Sequence, residues 1–298
     1  MLTGIHFLLT YKCIFECDHC FVYSSPRAEG TFTFEQICKV LDEAKKIGTI
    51  EWVYFEGGEP FLYYPLLIES VKAASSHGFK TGIVTNAYFA TSVEDAERWL
   101  APLRELNVAD LSISNDAFHS GENFNSTTSI AIQAAKNLGI AVNSISIDKP
   151  QMKCENPARK KGEPVIGGDV MFKGRAADKL AANLPRIDWK EFDSCPHEEL
   201  ENPERVHIDS FGNVQICQGI SIGNLWQTPL SEIIKKYDSE SHPISRYLIN
   251  GGPAALSIHY SIVHKKNYVD ACQYCYETRK KLIDKFPQFL APKQVYGL

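Results

Sequence analysis

The chain has 298 residues, and its 31 Lys and Arg against 36 Asp and Glu give a formal net charge of -5. This balance offers no cationic surface for nucleic acid or an anionic membrane, so we expect neither as a partner. No stretch approaches the ~18 apolar residues of a membrane span, and the first residues lack the basic leader of a signal peptide. We therefore expect a cytoplasmic protein. Its nine cysteines are unlikely to form a disulfide framework, and the clustering of most of them towards the two ends of the chain favours metal binding.

Short apolar runs alternate with amphipathic segments from residue 4 to about residue 175, which is the pattern of βα units around a parallel sheet. One helix is well marked, because Thr33 and Gln36 form a capping-box pair and Gly48 suits the end of the helix. Six units are too few for a closed eight-stranded barrel. We predict an α/β fold in which residues 1–184 form a partial (β/α)6 TIM-like barrel and residues 185–298 a small module. The predicted strands are 5–10, 51–55, 80–85, 110–114, 140–147 and 169–173.

Three cysteines, Cys13, Cys17 and Cys20, follow the first predicted strand within eight residues. Thiolates at this spacing can hold an iron-sulfur cubane from one loop and leave one iron without a protein ligand. The alternative is zinc bound by the three thiolates and His19, although His19 and Cys20 are adjacent and awkward to combine in one tetrahedron. In a partial barrel this loop lies at the C-terminal rim, where chemistry takes place.

The second predicted strand ends in Gly57-Gly58-Glu59-Pro60, and paired glycines let a backbone approach a ligand closely. In combination with Cys-x3-Cys-x2-Cys, this element makes nearly the whole chain resemble the radical S-adenosylmethionine enzymes. The resemblance implies a [4Fe-4S] cluster and S-adenosyl-L-methionine, which the reduced cluster cleaves to a 5'-deoxyadenosyl radical.

The resemblance also assigns site residues. It implies that Cys13, Cys17 and Cys20 are the catalytic cluster ligands and that His19 lies beside the adenine. Thr85-Asn86 and Arg175 resemble cofactor-binding elements of the family, with an ordinary turn and a surface helix cap as the respective alternatives. His119 is either a substrate contact or structural. The complete set of implied cofactor-binding residues is His19, Gly57, Gly58, Glu59, Pro60, Thr85, Asn86, Ser114, Asp116 and Arg175.

The C-terminal part contains four further cysteines, Cys195, Cys217, Cys272 and Cys275, around a segment that resembles the SPASM and twitch auxiliary-cluster domains. Four thiolates fully ligate one [4Fe-4S] cluster, so the resemblance implies two clusters in the chain. Zinc bound by the same four thiolates is the alternative. Cys38 and Cys154 have no evident partners and are interpreted as a packed or an idle thiol.

A fully ligated auxiliary cluster suits electron transfer, so we expect an oxidation in which this cluster accepts an electron from a substrate radical. The relatives implied by the resemblance modify peptide or protein side chains, our preferred function, or dehydrogenate sugar or cyclitol alcohols. A non-catalytic metal-binding or redox-sensing protein is the alternative from another class. The partners implied are a peptide, protein or small-molecule substrate and an external one-electron reductant such as flavodoxin or ferredoxin. The basic segment 151–168 is a long loop, either a substrate lid or simply solvated.

Overall fold

One mostly parallel sheet organises the protein. A computed structural model describes residues 1–120, 125–152, 166–167 and 169–298. Eight strands form the main sheet in the order β11-β10-β9-β1-β2-β3-β4-β5. The α/β fold class predicted from the sequence is confirmed. The first five strands, which are parallel to one another, are β1 (Gly4–Thr10), β2 (Trp52–Gly57), β3 (Lys80–Thr85), β4 (Asp110–Ser114) and β5 (Val142–Ile145).

The sixth strand predicted at 169–173 is wrong. Asp169 has a φ of 57° and Gly174 a φ of 60°, so left-handed residues bound the segment at both ends and it does not join the sheet. The sixth parallel strand is β9 (Arg205–Asp209), which pairs with β1 at the other side of the sheet and places His207 opposite His6. The C-terminal part therefore contributes a strand to the parallel core.

Helices follow the strands as the periodicity predicted. Thr33 caps α1 in a complete capping box with Gln36, and Gly48 ends the helix at a φ of 77°. Cys38 is half-buried on this helix and belongs to neither cysteine group. The helices are α1 (Phe34–Ile47), α2 (Tyr64–Ser76), α3 (Val93–Glu105), α4 (Ala117–Ser120), α5 (Asn125–Asn137), α6 (Arg175–Lys179), α7 (Leu230–Lys236), α8 (Ser245–Ile249), α9 (Gly252–His259) and α10 (Ala271–Lys280).

The hydrophobic core lies beneath the first strands. Phe7 on β1 and Phe55 on β2 are register partners, both fully buried, with stacked rings 5.3 Å apart. Burying a side chain of this size contributes about 1.5–3 kcal/mol, so these strands are firmly positioned. The loops that follow β1 and β2 therefore begin at firmly positioned strand ends.

The C-terminal part joins this sheet as an antiparallel meander. After β9 come β10 (Asn213–Cys217) and β11 (Ile220–Asn224), which places Cys217 at the end of a sheet strand. Asp209 on β9 accepts a hydrogen bond from the Tyr11 hydroxyl at 3.1 Å and thereby ties the meander to the end of β1. The predicted boundary between the barrel and the C-terminal module, at residues 184 and 185, stays a prediction.

Two-residue strands form two further pairs, β6 (Gln151–Met152) with β7 (Ile166–Gly167) and β8 (Ile187–Asp188) with β12 (Asn267–Tyr268).

Two other sequence predictions can be compared with the structure. The loop predicted at 151–168 lies mostly outside the described residues, and so does Cys154. Among the helices that the structure describes, none is both long and apolar enough to cross a membrane.

Candidate active site and auxiliary cysteine site

The loop after β1 brings Cys13, Cys17 and Cys20 to the wall of one cavity, which encloses about 950 Å³ of space not filled by atoms. Burial, followed by repulsion from the charges of Glu59 and Cys20, raises the pKa of the Cys13 thiol to about 11. Burial and the two other cysteines likewise raise the pKa of Cys17. Cys13 and Cys17 would therefore need a cationic partner to become thiolates.

N–H donors surround two of these sulfur atoms. The amides of Phe15 and Ser24 donate to Cys13 Sγ at 3.4 Å and Cys20 Sγ at 3.3 Å, and the side-chain amide of Asn86 reaches Cys13 Sγ at 3.6 Å. Such donors stabilise thiolate charge and tune the potential of a bound iron-sulfur cluster. The donor set therefore fits the [4Fe-4S] cluster predicted from the sequence.

The Gly57-Gly58 turn packs directly against the cysteine loop. A Cβ atom at Gly58 would lie 2.2 Å from the Lys12 carbonyl oxygen, and one at Gly57 would lie 2.5 Å from the Thr10 carbonyl oxygen. The amides of Gly58 and Glu59 already donate to the Thr10 and Lys12 carbonyls at 2.7 Å and 2.9 Å. A ligand at this turn would therefore meet carbonyl groups rather than these amides, which suits a donor such as an ammonium group.

Glu59 and Pro60, for which cofactor contacts are predicted, are not among the residues that line the cavity. The Glu59 carboxylate is fully buried and accepts hydrogen bonds from the Thr85 hydroxyl at 2.8 Å and from the amides of Asn86 at 2.8 Å and Phe61 at 3.0 Å. Burial outweighs these bonds and raises the pKa of Glu59 to about 7. Glu59 thus positions Thr85 and Asn86, which do line the cavity.

The same cavity is also lined by His19, Ser114, Asp116 and His119. His119 Nδ1 lies 2.8 Å from Asp116 Oδ1, which also accepts the Phe118 amide at 3.0 Å. Burial, followed by the neighbouring His119, lowers the pKa of His19 to about 4, and its Nδ1 has no hydrogen-bond partner among the described residues. A neutral aromatic ring with a free polar atom is available here to a ligand.

Arg175, expected to contact a cofactor carboxylate, is not among the residues that line this cavity. Arg175 is 6 % exposed, which excludes the surface-cap alternative. Its Nη1 donates to the Cys17 carbonyl at 2.8 Å and its Nη2 to the Ser24 carbonyl at 2.7 Å, while its amide donates to the Cys20 carbonyl at 2.9 Å. Arg175 therefore fixes the backbone of the cysteine loop.

The four C-terminal cysteines meet at a second cavity, which encloses about 430 Å³. Cys217 comes from β10, Cys272 and Cys275 from α10, and Cys195 from the loop before β9. Burial is the main reason that the pKa of Cys275 rises to about 11, and burial also raises the pKa values of Cys195 and Cys272. The structure thus assembles the four residues that the sequence grouped.

Zinc and an iron-sulfur cluster need different spacings of the four sulfur atoms. Tetrahedral zinc, with Zn–S bonds of about 2.3 Å, brings its thiolates within about 3.8 Å of one another, whereas a cubane binds each thiolate to a different iron. In the part of the chain that the structure describes, the sets of three or more potential ligand atoms within 4.8 Å of one another contain only histidines and carboxylates, so no three cysteine sulfurs lie that close together.

Two buried cations that the sequence reasoning missed border the second cavity. Lys173 Nζ lies 3.8 Å from Cys217 Sγ and 3.6 Å from Glu198 Oε1, and it donates to Gln218 Oε1 at 2.6 Å. Arg279 is 1 % exposed and donates to the Gln218 carbonyl at 3.0 Å. Arg279 follows Cys272 and Cys275 at i+7 and i+4 on one helix, a spacing that could have revealed it. Both charges suit an anionic tetrathiolate site.

The two cavities are neighbours. Phe21 lines the first cavity and Lys173 the second, and the Lys173 ammonium lies 5.5 Å from the centroid of the Phe21 ring. Gly174 follows Lys173, and a Cβ atom there would lie 2.5 Å from the Phe21 backbone. The segment Lys173-Gly174-Arg175 therefore contacts both cysteine groups.

Known proteins share parts of this chain. YydG of Bacillus subtilis (strain 168), named for peptide biosynthesis, is 30% identical over 112 residues, 38% of this chain and 35% of YydG. The PqqA peptide cyclase of Bradyrhizobium diazoefficiens is 32% identical over 117 residues, 38% of this chain and 28% of the cyclase. The chain thus matches about a third of the length of these relatives.

A solved structure of BtrN in complex with AdoMet and 2-DOIA superimposes with a TM-score of 0.53 at 17% identity, over 78% of this chain and 82% of BtrN, which supports the fold. Residues 7–147 match the model of the Radical SAM superfamily and contain the cysteine loop, the Gly-Gly turn and Thr85-Asn86. Residues 7–147 thus form a domain of the Radical SAM superfamily.

Proposed function

We propose that this radical SAM enzyme carries two [4Fe-4S] clusters and oxidises a peptide or protein side chain, with the C-terminal cluster as the acceptor of the second electron. The observation that carries the proposal is the adjacency of the two cysteine cavities across Phe21 and Lys173. An electron that leaves a substrate in the first cavity would have its acceptor in the neighbouring second cavity, on the other side of Phe21 and Lys173.

The first cavity would hold the catalytic cluster on Cys13, Cys17 and Cys20. When bound, that cluster and S-adenosyl-L-methionine supply a 5'-deoxyadenosyl radical that abstracts hydrogen. We assign the Gly57-Gly58 carbonyls to the methionine ammonium group, because their turn faces the cavity beside the cysteines.

The remaining cavity-lining residues would orient the nucleoside or the substrate. The cavity beside the Gly-Gly turn is also lined by Thr85, Asn86, Ser114, Asp116 and His19. Asp116 supplies a carboxylate acceptor for hydroxyl groups, since its bond to His119 keeps its pKa low despite burial. His19 supplies an aromatic surface.

The second cavity would hold a cluster on Cys195, Cys217, Cys272 and Cys275. Four protein ligands leave no iron open, so this site can accept or pass an electron but cannot bind substrate. Lys173 and Arg279 place positive charge beside it and so favour the more negative, reduced state of a bound cluster.

A peptide substrate is proposed because YydG and the PqqA peptide cyclase are both named for peptides. A cyclitol or sugar alcohol is the second candidate. It is supported by the extent of the match to BtrN, which covers 82% of that chain and includes the C-terminal part of this one. In either case the electron for cofactor cleavage would come from an external reductant of the flavodoxin or ferredoxin class.

The test uses anaerobically reconstituted enzyme, a one-electron reductant, S-adenosyl-L-methionine, and either a short peptide encoded beside its gene or a panel of amino-cyclitols. We expect 5'-deoxyadenosine together with a product that is two hydrogens lighter than the substrate. In a variant with Cys272 and Cys275 changed to Ala, 5'-deoxyadenosine should still form while this product is lost. Cys38→Ala is the matched control and should behave as wild type. Unchanged product in the double variant would contradict the electron-acceptor role.

A further inference from the structure

A carboxylate between two histidines lies at the edge of the first cavity. Glu56, the last side chain of β2 before the glycines, lines the cavity. Its Oε1 lies 3.3 Å from His6 Nδ1 on β1 and 3.3 Å from His207 Nε2 on β9. Three neighbouring strands of the sheet thus bring the three groups together, and only the carboxylate borders the cavity.

The other neighbour of His207 is the side-chain amide of Gln218. Lys173 donates to Gln218 Oε1 at 2.6 Å, which favours the amide orientation that turns the NH2 group towards His207 Nε2, 3.3 Å away. In the neutral tautomer with its proton on Nδ1, His207 accepts from this NH2 group and can take up a proton from Glu56 at Nε2.

The pKa values agree with this geometry. Burial lowers the pKa of His207, although Glu56 opposes the shift. Burial alone raises the pKa of Glu56, but His6 and His207 reverse the effect and hold it well below its usual range. A proton that reaches the carboxylate therefore passes readily to a histidine.

The contacts continue from this group to the second cysteine cavity. Gln218 connects His207 to Lys173, and Lys173 lies 3.8 Å from Cys217 Sγ and 3.6 Å from Glu198 Oε1. An unbroken set of polar contacts thus leads from the substrate cavity to the proposed auxiliary site.

We propose that Glu56 and His207 form the proton acceptor for the substrate, and that Gln218 couples its protonation to Lys173 and the auxiliary site. This inference rests on the proposed function. The hydrogen atom is abstracted from a substrate carbon that bears a hydroxyl or an amino group. The resulting carbon radical then transfers the O–H or N–H proton through Glu56 to His207. Its remaining unpaired electron passes to the oxidised auxiliary cluster, and a carbon–oxygen or carbon–nitrogen double bond forms. One hydrogen atom, one proton and one electron therefore account for the two-electron oxidation.

The coupling follows from the two hydrogen bonds of Gln218. When Nε2 of His207 gains a proton, it becomes a donor, and the Gln218 amide must turn to present its oxygen. Lys173 then loses its 2.6 Å hydrogen bond to Gln218 Oε1, and Cys217 and Glu198 remain as its neighbours. Protonation of His207 thereby leaves the positive charge of Lys173 less compensated beside the auxiliary site, which favours reduction of a bound cluster.

The charges that act on His207 come from Glu56 on β2, His6 on β1 and Glu198 in the loop before β9. The carboxylates favour protonation of His207, and a protonated His6 opposes it. Reduction of the auxiliary cluster adds negative charge and should raise the proton affinity of His207. Because burial lowers the pKa of His207, the midpoint potential should begin to depend on pH below about 6.5, the ordinary pKa of histidine, and should level off above the higher pKa that His207 has when the cluster is reduced.

The test isolates the auxiliary site in the full-length chain with Cys13, Cys17 and Cys20 changed to Ala. Its midpoint potential is measured by redox titration with EPR detection between about pH 6 and about pH 9. We expect the potential to fall as pH rises. Adding Glu56→Gln or Gln218→Leu should flatten this dependence, and Glu43→Gln, a buried carboxylate that accepts from Ser231, should leave it intact.

The outcomes separate this inference from the proposed function. A cluster that assembles but titrates with one potential at every pH overturns the proton coupling and leaves the second cluster in place. Equal pH dependence in Glu56→Gln overturns it as well. Failure of any cluster to assemble in the parent variant would overturn the proposed function and this inference with it. Should Gln218→Leu, which adjoins Cys217, load no iron, Glu56→Gln decides alone.

Discussion

The ammonium group of Lys173 lies 3.8 Å from the sulfur of Cys217, and the lysine is buried. A unit charge about 6 Å from a cluster, at an effective dielectric constant of about 20, changes its potential by on the order of 100 mV. Lys173→Met should therefore lower the midpoint potential of the auxiliary cluster by roughly that amount. Lys173→Arg keeps the charge and should stay near wild type. Equal potentials for the Met and Arg variants would contradict the assignment.

Asn86 makes a second prediction, at the catalytic cluster. Its side-chain amide donates to Cys13 Sγ at 3.6 Å, and hydrogen bonds to cluster sulfurs raise the potential. Asn86→Leu should lower the midpoint potential of the N-terminal cluster, measured in the Cys272→Ala, Cys275→Ala background. The shift should be smaller than for Lys173→Met, because a neutral donor is lost. Asn137→Leu, on the distant end of α5, is the control and should cause no shift.

The Gly58 position tests the packing of the cysteine loop. A Cβ atom there meets the Lys12 carbonyl at 2.2 Å, and neither backbone segment can move without displacing Cys13. Gly58→Ala should lose most of the iron of the N-terminal site. Gly48→Ala is the matched control, because Gly48 has a φ of 77° but open space around its Cα. It should cost about 1–2 kcal/mol of stability and leave the iron content unchanged. Full iron loading in Gly58→Ala would contradict this packing.

Asp209 predicts a pH dependence of stability. Burial, only partly offset by hydrogen bonds from Asn213 and Tyr11, raises the pKa of Asp209 to about 6. The folded state thus holds the proton more tightly than the unfolded chain, where the pKa is about 3.9. The stabilisation is complete below about pH 4 and is lost as pH rises through about 6, a change of about 3 kcal/mol.

Urea unfolding of the cluster-free protein at several pH values checks this sign. The difference in free energy of unfolding between wild type and Asp209→Asn should fall by about 3 kcal/mol between about pH 3 and about pH 7. Asp95→Asn, an exposed position, should show a nearly constant difference. A difference for Asp209→Asn that grows with pH would mean that the carboxylate is favoured in its ionised form.

Local signals in the sequence predicted much of this fold. Thr33, Gln36 and Gly48 act within one helix, so the capping pattern suffices to place α1. The first five strands carry apolar runs that are sufficient to predict each strand without knowledge of its partner. The sixth failed because its place in the sheet depends on Asp169 being left-handed and on β9 pairing with β1, and the latter is a contact between segments about 200 residues apart. No local pattern encodes such a choice of partner.

The candidate site likewise contains features that local sequence predicts and features that depend on contacts between distant segments. The cysteine spacing was enough to predict two cysteine groups, and the structure brings each group to one cavity. The hydrogen bonds of Glu59 and Arg175 could not be predicted, since their partners include backbone amides and carbonyls that only the folded chain brings to them. Lys173 was missed because its significance depends on Cys217, 44 residues away.

Iron and labile sulfide content of the anaerobically reconstituted protein tests the two-cluster account most directly. It is compared with the variant in which Cys13, Cys17 and Cys20 are all changed to Ala. We expect about eight irons per chain in the wild type and about four in the variant. About four irons falling to none, with zinc retained at the C-terminal cysteines, would contradict the second cluster and the electron-acceptor role built on it.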